Sequence, residues 1–285
     1  MGDVGIKKAP APWKCTAEVY AAYFFSNSKS KAAGEIDTIA FSPLEKESPS
    51  FSSREGSRFA GGVGSFMLVR YSDTPVGTYD ELAIIPGAYT YHIQDKKGNW
   101  VEKKSPRVTR IYVSQKHTLY NGRLNWNIPK HLASFEWKDL PDGSKQCKVF
   151  PHDTTGDATE ASPTTTPLFQ ASFKTVPLVP AFPLSTKWFD YLGVNTALVQ
   201  PPVPQGPTPE VVGTEEWCRC PTVQSTSRAH VGWMDLNQRD EDGKLTGLFE
   251  NFWPGLGRWH LAVRMDNAIL DIREGEHWRA PRANL

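Results

Sequence analysis

Apolar and polar residues alternate along much of this chain, and the alternating runs are rich in aromatic and β-branched side chains. A period of two residues is typical of β-strands that bury one face. Turn-forming residues separate several runs, as at 72–75 and 96–99, and residues 265–268 resemble a hairpin turn. The pattern therefore predicts antiparallel meanders. The predicted strands cover residues 13–25, 63–71, 79–85, 108–114, 133–137, 146–150, 168–174, 258–265 and 268–272.

Three segments lack this alternation and are rich in Ser, Thr or Pro, namely residues 26–57, 151–167 and 200–215. Such a composition favours loops, although 26–57 has room for one short helix. The stretch 200–209 is the most proline-dense part of the chain and favours extended polyproline geometry. A surface loop is a commoner role for such a stretch than a ligand for an aromatic groove.

Charge and cysteine content narrow the class of protein. The 32 basic side chains nearly balance the 31 acidic ones, and no basic block stands out, which argues against nucleic acid or an anionic membrane as the main partner. Residues 1–9 lack the apolar core of a signal peptide, and no stretch approaches the ~18 apolar residues of a membrane span. We therefore expect a cytoplasmic protein whose four cysteines are reduced thiols.

Lys130 lies in an apolar window of the chain. A lysine with its ordinary pKa near ~10.4 is uncharged in only about one molecule in 2,500 at pH 7, so it is a poor nucleophile toward a carbonyl. Desolvation by large apolar neighbours would lower that pKa and allow the amine to form a Schiff base. The alternative is an ordinary lysine that extends its ammonium group to water. The apolar neighbours are Trp126, Ile128, Phe135 and Trp137.

Two short motifs carry a resemblance to a known family. Gly122-Arg123 followed by Pro129-Lys130 is similar to the Gly-Arg-Glu…Tyr-Pro-Lys-Lys block of the acetoacetate decarboxylase-like superfamily, whose first lysine forms the Schiff base. Residues 77–81 resemble the family's Gly-x-Tyr-x-Glu segment, which places its active-site glutamate on Glu81. The resemblance therefore implies that Lys130 and Glu81 are the catalytic residues.

The resemblance is strongest over residues 66–137, and the strand that opens at Pro12-Trp13 looks like that of eukaryotic members, especially fungal ones. It implies a mostly β (α+β) fold in which antiparallel strands close into a cone- or barrel-like sheet around an apolar pocket. It also implies a single domain over residues 1–285 and assembly into homo-oligomers. Imine chemistry on a small carbonyl substrate would need no cofactor.

The chain departs from the family pattern at four places. His131 stands where the family has its second lysine, Ile128 replaces a tyrosine, and Leu124 replaces the glutamate after Gly-Arg. Residues 65–70 offer no carboxylate where a second acidic side chain is expected. Because a histidine with a pKa near ~6.5 is mostly neutral at pH 7, desolvation would contribute more to the tuning of Lys130. These departures favour the Schiff-base step over decarboxylation.

Several polar side chains are candidates for the roles that accompany an imine. In a strand, Glu81 faces the same side as Tyr79 and would move protons or orient the imine, unless it is a solvent-facing carboxylate or an arginine partner. Two arginines offer forked guanidinium groups to a substrate carboxylate, although a structural salt bridge explains them equally well. The candidate substrate-binding residues are Arg110, Arg123, His131, Trp126 and Asn127.

Three functions remain open. The first is a lysine Schiff-base enzyme that decarboxylates a small β-keto acid, with the protonated imine as the electron sink. The second keeps the imine but catalyses an aldolase, dehydratase, isomerase or cyclase reaction of secondary metabolism without loss of CO2. The third is a β-barrel protein that binds a small molecule without covalent chemistry.

Other site chemistries have weak support. Two sets of side chains could be considered as zinc ligands, but neither matches a common zinc spacing. The glycine-rich runs at 61–64 and 255–257 lack the strand–loop–helix context of a phosphate site. A serine hydrolase elbow is also missing. We therefore predict neither a metal nor a nucleotide cofactor. The two sets are Cys218 and Cys220 with His230, and His260 with His277.

Overall fold

A computed structural model describes residues 5–26, 40–51, 57–152, 162–191, 195–248 and 256–279. The strands are β1 Trp13–Ser26, β2 Phe59–Asp73, β3 Tyr79–Ile85, β4 Ala88–Gln94, β5 Trp100–Pro106, β6 Arg110–Val113, β7 Lys130–Asp139, β8 Lys145–Pro151, β9 Phe169–Thr175, β10 Phe182–Ser185, β11 Leu198–Gln200, β12 Trp217–Cys220, β13 Thr222–Asp235, β14 Trp259–Ile272 and β15 Glu276–Trp278. The helices are α1 Pro43–Lys46, α2 Lys116–Trp126 and α3 Lys187–Tyr191.

A closed barrel dominates the described part of the chain. Nine strands follow one another in the order β1, β14, β13, β9, β8, β7, β6, β3 and β2, and β2 pairs again with β1. Neighbouring strands are antiparallel except for β6 and β7, which run parallel. The predicted mostly β, closed and largely antiparallel sheet is confirmed.

Further strands extend this barrel. The hairpin of β4 and β5 continues the sheet beyond β2, β10 pairs with β13, and β11, β12 and β15 form a separate small sheet. The sequence pattern placed a turn at 96–99 but missed the two strands that it joins. The side chains of β5 are mostly exposed and polar, so this strand lacks the alternation that marks a half-buried one.

The predicted hairpin turn at residues 265–268 is wrong. Strand β14 runs through this segment without interruption, and Asp266 and Asn267 together lie opposite Glu18 of β1. Two residues opposite one define a β-bulge, and the positive φ of 45° at Asn267 accommodates the extra residue. Because asparagine tolerates the left-handed region in both turns and bulges, the local sequence does not distinguish them.

The two faces of the barrel strands bury different apolar clusters. Each of the nine strands contributes to one cluster, as Tyr20, Phe66 and Phe169 illustrate, so this cluster fills the barrel interior. The opposite face of β1, β2, β3, β6 and β14 carries a second cluster, which α2 and β12 cover. Leu119 and Trp126 of α2 belong to this outer cluster.

The structure describes the predicted loop segments only in part. Helix α1 is the short helix expected within 26–57, and residues 201–216 contain neither helix nor strand. The remaining parts of the predicted loops, 27–39, 52–56 and 153–161, lie outside the described residues. Among the residues that are described, no helix has the length and apolar character needed to cross a bilayer.

We predict that Gly232→Ala lowers the free energy of unfolding by ~1–3 kcal/mol, as overpacking of a core does. A Cβ at Gly232 in β13 would lie 2.2 Å from Cζ of Phe173 and 2.7 Å from the backbone oxygen of Lys174. Urea denaturation measures the loss. Gly257→Ala is the control, because a Cβ there meets nothing within 4 Å. Equal stability of both variants would contradict the close packing of β13 on β9.

Candidate active site

Lys130 and Glu81 meet across β6, the short strand that separates their own strands. Lys130 of β7 is in register with Ile111 of β6, and Glu81 of β3 is in register with Val113. Ile111 and Val113 share the outer face of the barrel, so the lysine and the glutamate lie on that face too. The Lys130 Nζ atom is 2.9 Å from Glu81 Oε2, and the residues are 4% and 6% exposed.

Helix α2 covers this pair with two small residues. Thr118 and Gly122 are four positions apart and therefore share one face of the helix. Lys130 Nζ donates a hydrogen bond of 2.8 Å to Thr118 Oγ1. A Cβ at Gly122 would lie 2.6 Å from Lys130 Cδ and 2.7 Å from Cε, so only glycine leaves room for the lysine stem. The helix thus sets the position of the amine.

Two stacked tyrosines complete the surroundings of the pair. Tyr71 of β2 is in register with Tyr79 of β3, and their ring centroids are 4.3 Å apart. The Tyr71 hydroxyl donates to Glu81 Oε1 at 3.2 Å, and Lys130 Nζ is 5.2 Å from the centroid of the Tyr79 ring. Burial, followed by the nearby charge of Glu81, raises the pKa of both phenols well above the usual value. Both phenols therefore stay protonated at neutral pH.

A buried thiol also lies near the lysine. Burial raises the pKa of Cys15 to about 12; the charge of Lys130 opposes this rise, and that of Glu81 adds to it. Because the thiolate is the nucleophilic form of cysteine, the protonated Cys15 is a poor competitor for a carbonyl substrate. The amine of Lys130 is the better candidate nucleophile in this cluster.

A second buried ionic cluster lies on the backbone side of Lys130. Glu45 of α1 accepts from Arg123 Nη1 at 3.0 Å, and its other oxygen lies 2.7 Å from His131 Nε2. Burial alone would raise the pKa of Glu45, but the charges and hydrogen bonds of His131 and Arg123 outweigh it and lower the pKa. Arg123 also donates to the backbone oxygens of Lys130, at 3.3 Å, and of Val212, at 2.8 Å. The structure therefore favours the salt-bridge alternative for Arg123.

The other three candidate substrate-binding residues lie elsewhere. Arg110 is buried in β6, where its Nε donates to the Tyr112 hydroxyl at 2.8 Å. Trp126 packs edge-on against Trp13, with ring centroids 5.2 Å apart, and belongs to the outer cluster. Asn127 ends α2 in the left-handed conformation, with a φ of 55°, and its amide donates to two backbone oxygens. The observed contacts of these residues are structural.

The sequence analysis did not identify four residues of the two clusters, although the sequence contains a signal for some of them. The four are Tyr71, Tyr79, Thr118 and Glu45. Tyr79 lies in the Gly-x-Tyr-x-Glu segment, and pairing of β2 with β3 brings Tyr71 beside it. Thr118 could be identified only once α2 is known to be a helix. Glu45 is separated from its partner Arg123 by 78 residues and has no local signal.

A cavity of about 770 Å³ opens beside the site. Tyr71 and Tyr79, which contact Glu81 and Lys130, are among its lining residues, whereas Lys130 and Glu81 themselves do not line it. Its charged lining residues are balanced, with three acidic and three basic side chains. These are Glu18, Asp80, Asp266, Arg70, Arg228 and Arg264.

Comparisons with solved structures identify the fold. No model of a known protein family and no curated protein matches the chain. The crystal structure of acetoacetate decarboxylase from Legionella pneumophila matches with a TM-score of 0.52 and 10% identity, covering 95% of this chain and 88% of that one. The fold is acetoacetate decarboxylase-like.

Two further structures share this acetoacetate decarboxylase-like fold. One comes from structural studies of acetoacetate decarboxylase and matches with a TM-score of 0.52 and 10% identity, covering 95% of this chain and 91% of that one. The other is the enduracididine biosynthesis enzyme MppR in complex with the condensation product of pyruvate and imidazole 4-carboxaldehyde. It matches with a TM-score of 0.53 and 13% identity, covering 95% and 90% of the two chains. The likeness therefore extends from acetoacetate decarboxylases to a biosynthesis enzyme.

We predict that Glu45→Gln lowers the free energy of unfolding by ~3–5 kcal/mol at pH 7, because it leaves the buried guanidinium group of Arg123 without its counter-charge. Since the folded-state pKa of Glu45 is lowered, this contribution is complete above the ordinary carboxyl pKa of ~4.3. It disappears as the pH falls through the lower folded-state value. Urea denaturation of wild type and variant between pH 3 and 7 measures it.

Glu102→Gln is the matched control for this experiment. Glu102 also pairs with an arginine, Arg58, but both side chains are largely in solvent, so the loss should stay within ~1 kcal/mol. A difference between wild type and Glu45→Gln that is as small as this, or that grows toward acid pH, would rule out a stabilising ionised Glu45.

Proposed function

We propose that this protein is a lysine Schiff-base enzyme that acts on a small keto acid or keto compound, with decarboxylation of a β-keto acid as its leading reaction. One observation carries the proposal. The amine of Lys130 is buried and held between a carboxylate and a hydroxyl. A lysine whose only role was solubility would extend its ammonium group to water instead.

The contact between Lys130 and Glu81 supplies the first proton transfer. Nucleophilic attack requires the neutral amine, and Glu81 Oε2, at 2.9 Å, is placed to take the proton from the ammonium group. The neutral Nζ then attacks the carbonyl carbon, and the resulting hydroxyl group leaves as water with the proton that Glu81 holds. The product is a protonated imine beside a carboxylate, so the charge of the original ion pair is restored.

The protonated imine then accepts electrons. In a β-keto acid, the bond between the α-carbon and the carboxylate breaks, CO2 leaves, and the electron pair moves toward the imine nitrogen to form an enamine. The α-carbon takes up one proton, and water hydrolyses the imine to release the ketone and the lysine. The Tyr71 hydroxyl, which is hydrogen-bonded to the ionised Glu81, is the group placed to deliver that proton, and a proton from water replaces it.

The cavity beside the tyrosines is the place for the substrate in this proposal. Its volume of about 770 Å³ is within the usual range for small-molecule sites. Arg70, Arg228 and Arg264 line it, and each is paired with Asp80 or Asp266, so a substrate carboxylate would compete with these ion pairs. Arg123 does not line this cavity, and its guanidinium group is bonded to protein acceptors.

A condensation reaction through the same imine is the second candidate. Strand β2 offers no carboxylate over residues 65–70, and His131 stands in place of a second lysine and bonds to Glu45. MppR, which has the same fold, was crystallised with a condensation product of pyruvate and an aldehyde. An enamine on Lys130 would attack such an aldehyde. Non-covalent binding of a small molecule remains the third candidate.

We expect borohydride reduction with a panel of keto acids and ketones to add a substrate-sized mass to the wild-type protein at Lys130. Lys130→Met keeps a similar volume in the buried position and should give no adduct. Intact-protein and peptide mass spectrometry measure both. An adduct together with CO2 release supports the decarboxylase, whereas an adduct without CO2 supports condensation chemistry.

The outcome that would overturn the proposal is a folded wild-type protein that forms no adduct with a compound it binds. Calorimetric titration of each compound provides that binding measurement. Binding that survives in Lys130→Met, without any adduct in wild type, would favour the non-covalent candidate instead.

We also expect Gly122→Ala to slow imine trapping by ~10-fold or more while leaving the fold intact. Alanine is the better helix former by ~1 kcal/mol, so the helix itself gains stability. Its Cβ, however, would displace the Lys130 stem and move Nζ away from Glu81 and Thr118. Leu124→Ala, at an exposed position of the same helix, is the control and should trap at the wild-type rate. Equal trapping rates would contradict the positioning role of α2.

A further inference from the structure

A second cavity, of about 390 Å³, lies where β12 passes into β13. Four parts of the chain line it: the junction of these two strands, helix α3, residues 195–197 before β11, and the residue that follows β14. Its volume is within the range of ~300–1,000 Å³ that is usual for small-molecule sites. The proposed imine chemistry makes no use of this cavity.

Hydrogen bonds between the lining segments hold the cavity in shape. Thr186, directly before α3, donates from its backbone to the Gln224 oxygen of β13, and its hydroxyl accepts from the Gln224 backbone, both at 2.9 Å. The side-chain amide of Asn195 donates to the Ser105 hydroxyl of β5 at 2.8 Å. The cavity is therefore formed before any ligand enters it.

The charge of the lining is of one sign. Lys187 of α3, Arg219 of β12 and Arg273 after β14 all line the cavity, and none of the described lining residues is acidic. The whole chain carries a formal net charge of only +1, so three cations around one cavity are a local concentration of charge. A cleft lined by charges of one sign attracts counter-ions. The lining thus indicates an anionic ligand.

Arg219 has donors to offer such a ligand. Its Nη1 atom donates to both carboxylate oxygens of Glu276, at 2.9 and 3.0 Å, and Glu276 itself does not line the cavity. Within the described parts of the chain, the other guanidinium nitrogens of Arg219 have no hydrogen-bond acceptor. The ion pair therefore orients the guanidinium group and leaves part of its fork for an anion.

The other two cations are also accessible to a ligand. Arg273 lies 3.8 Å from Asp271 with both side chains about half in solvent, which makes a weak ion pair. Its backbone is fixed, since its N–H donates to the Pro221 oxygen at 3.1 Å and its oxygen accepts from Trp126 Nε1 at 2.8 Å. Lys187 forms no ion pair with any residue that the structure describes.

We propose that this cavity binds a phosphate monoester. At neutral pH such a group carries a charge of about −1.5 to −2 on three acceptor oxygens. Forked guanidinium groups and a lysine ammonium are the side chains that bind phosphate in proteins, and the hydroxyls of Thr196 and Thr222 add neutral donors to the lining. A carboxylate would offer these cations less charge and fewer oxygens.

The phosphate site and the candidate imine site lie on opposite sides of β12. Cys218 and Cys220 belong to the outer cluster on whose face Lys130 lies, and Arg219 stands between them in the strand. Because neighbouring residues of a strand point to opposite sides, Arg219 faces away from that cluster. The inference therefore does not rest on the proposed function.

Calorimetric titration of the full chain with inorganic phosphate and with glycerol 3-phosphate, at constant ionic strength, tests this assignment. Each should bind saturably at one site with a dissociation constant below ~1 mM. Arg219→Gln should raise this constant at least ~10-fold, because the ligand loses charge-assisted hydrogen bonds. Lys130→Met should bind as wild type does, which keeps this result separate from imine trapping.

Arg58→Gln is the matched control. Like Arg219, Arg58 pairs with a glutamate, Glu102, through a single nitrogen, at 3.0 and 3.3 Å, but it lies outside the cavity. This variant should bind both phosphates with wild-type affinity. Equal weakening by Arg58→Gln and Arg219→Gln would show that only the overall charge matters and would overturn the proposal.

Phosphatidylcholine vesicles that contain phosphatidic acid present the same phosphate monoester on a lipid. Binding to these vesicles that exceeds binding of glycerol 3-phosphate, and that Arg219→Gln abolishes, would support the site and assign its ligand to a lipid headgroup. Tighter binding of succinate than of either soluble phosphate would overturn the phosphate assignment. So would the lack of saturable binding to both soluble phosphates and to the vesicles.

Discussion

Strands β6 and β7 are parallel neighbours. After the end of β6, the chain must therefore return to the opposite end of the sheet before it can enter β7. Parallel neighbours require a connection of about a dozen residues, commonly a helix, and α2 makes that crossing here. The helix must pack on the outer face of the sheet, which is the face that carries Lys130 and Glu81. The same connection thus delivers Thr118 to the amine and Gly122 to the lysine stem.

The two buried ionic clusters differ in how fully their charges are satisfied. Glu45 pairs with two residues, Arg123 and His131, and Arg123 bonds to several backbone oxygens as well. Such extra hydrogen bonds are what allow a buried ion pair to offset its desolvation. The Lys130–Glu81 pair rests on fewer contacts, and an apolar pair would fill its volume at similar stability. Its presence is best explained by chemistry, which our proposed function supplies.

The main apolar cluster and the candidate site lie on opposite faces of the barrel wall. Its interior is filled by an apolar cluster to which every strand contributes, and this closed wall holds the register of β3, β6 and β7. The outer face carries the candidate site where α2 covers it. The barrel wall thereby supports the proposed imine chemistry.

The sequence by itself determined eight of the fifteen described strands, including the full extent of β3 but not β13 of the barrel, and it singled out Lys130 and Glu81 as candidates. Period-two burial and short motifs are local signals that one chain carries. The sequence did not reveal α2, because this helix buries polar residues such as Asn121 and Arg123 and therefore lacks an apolar stripe. Only the tertiary structure decided that Arg123 serves Glu45, since the register and crossover that join them depend on closure of the whole sheet.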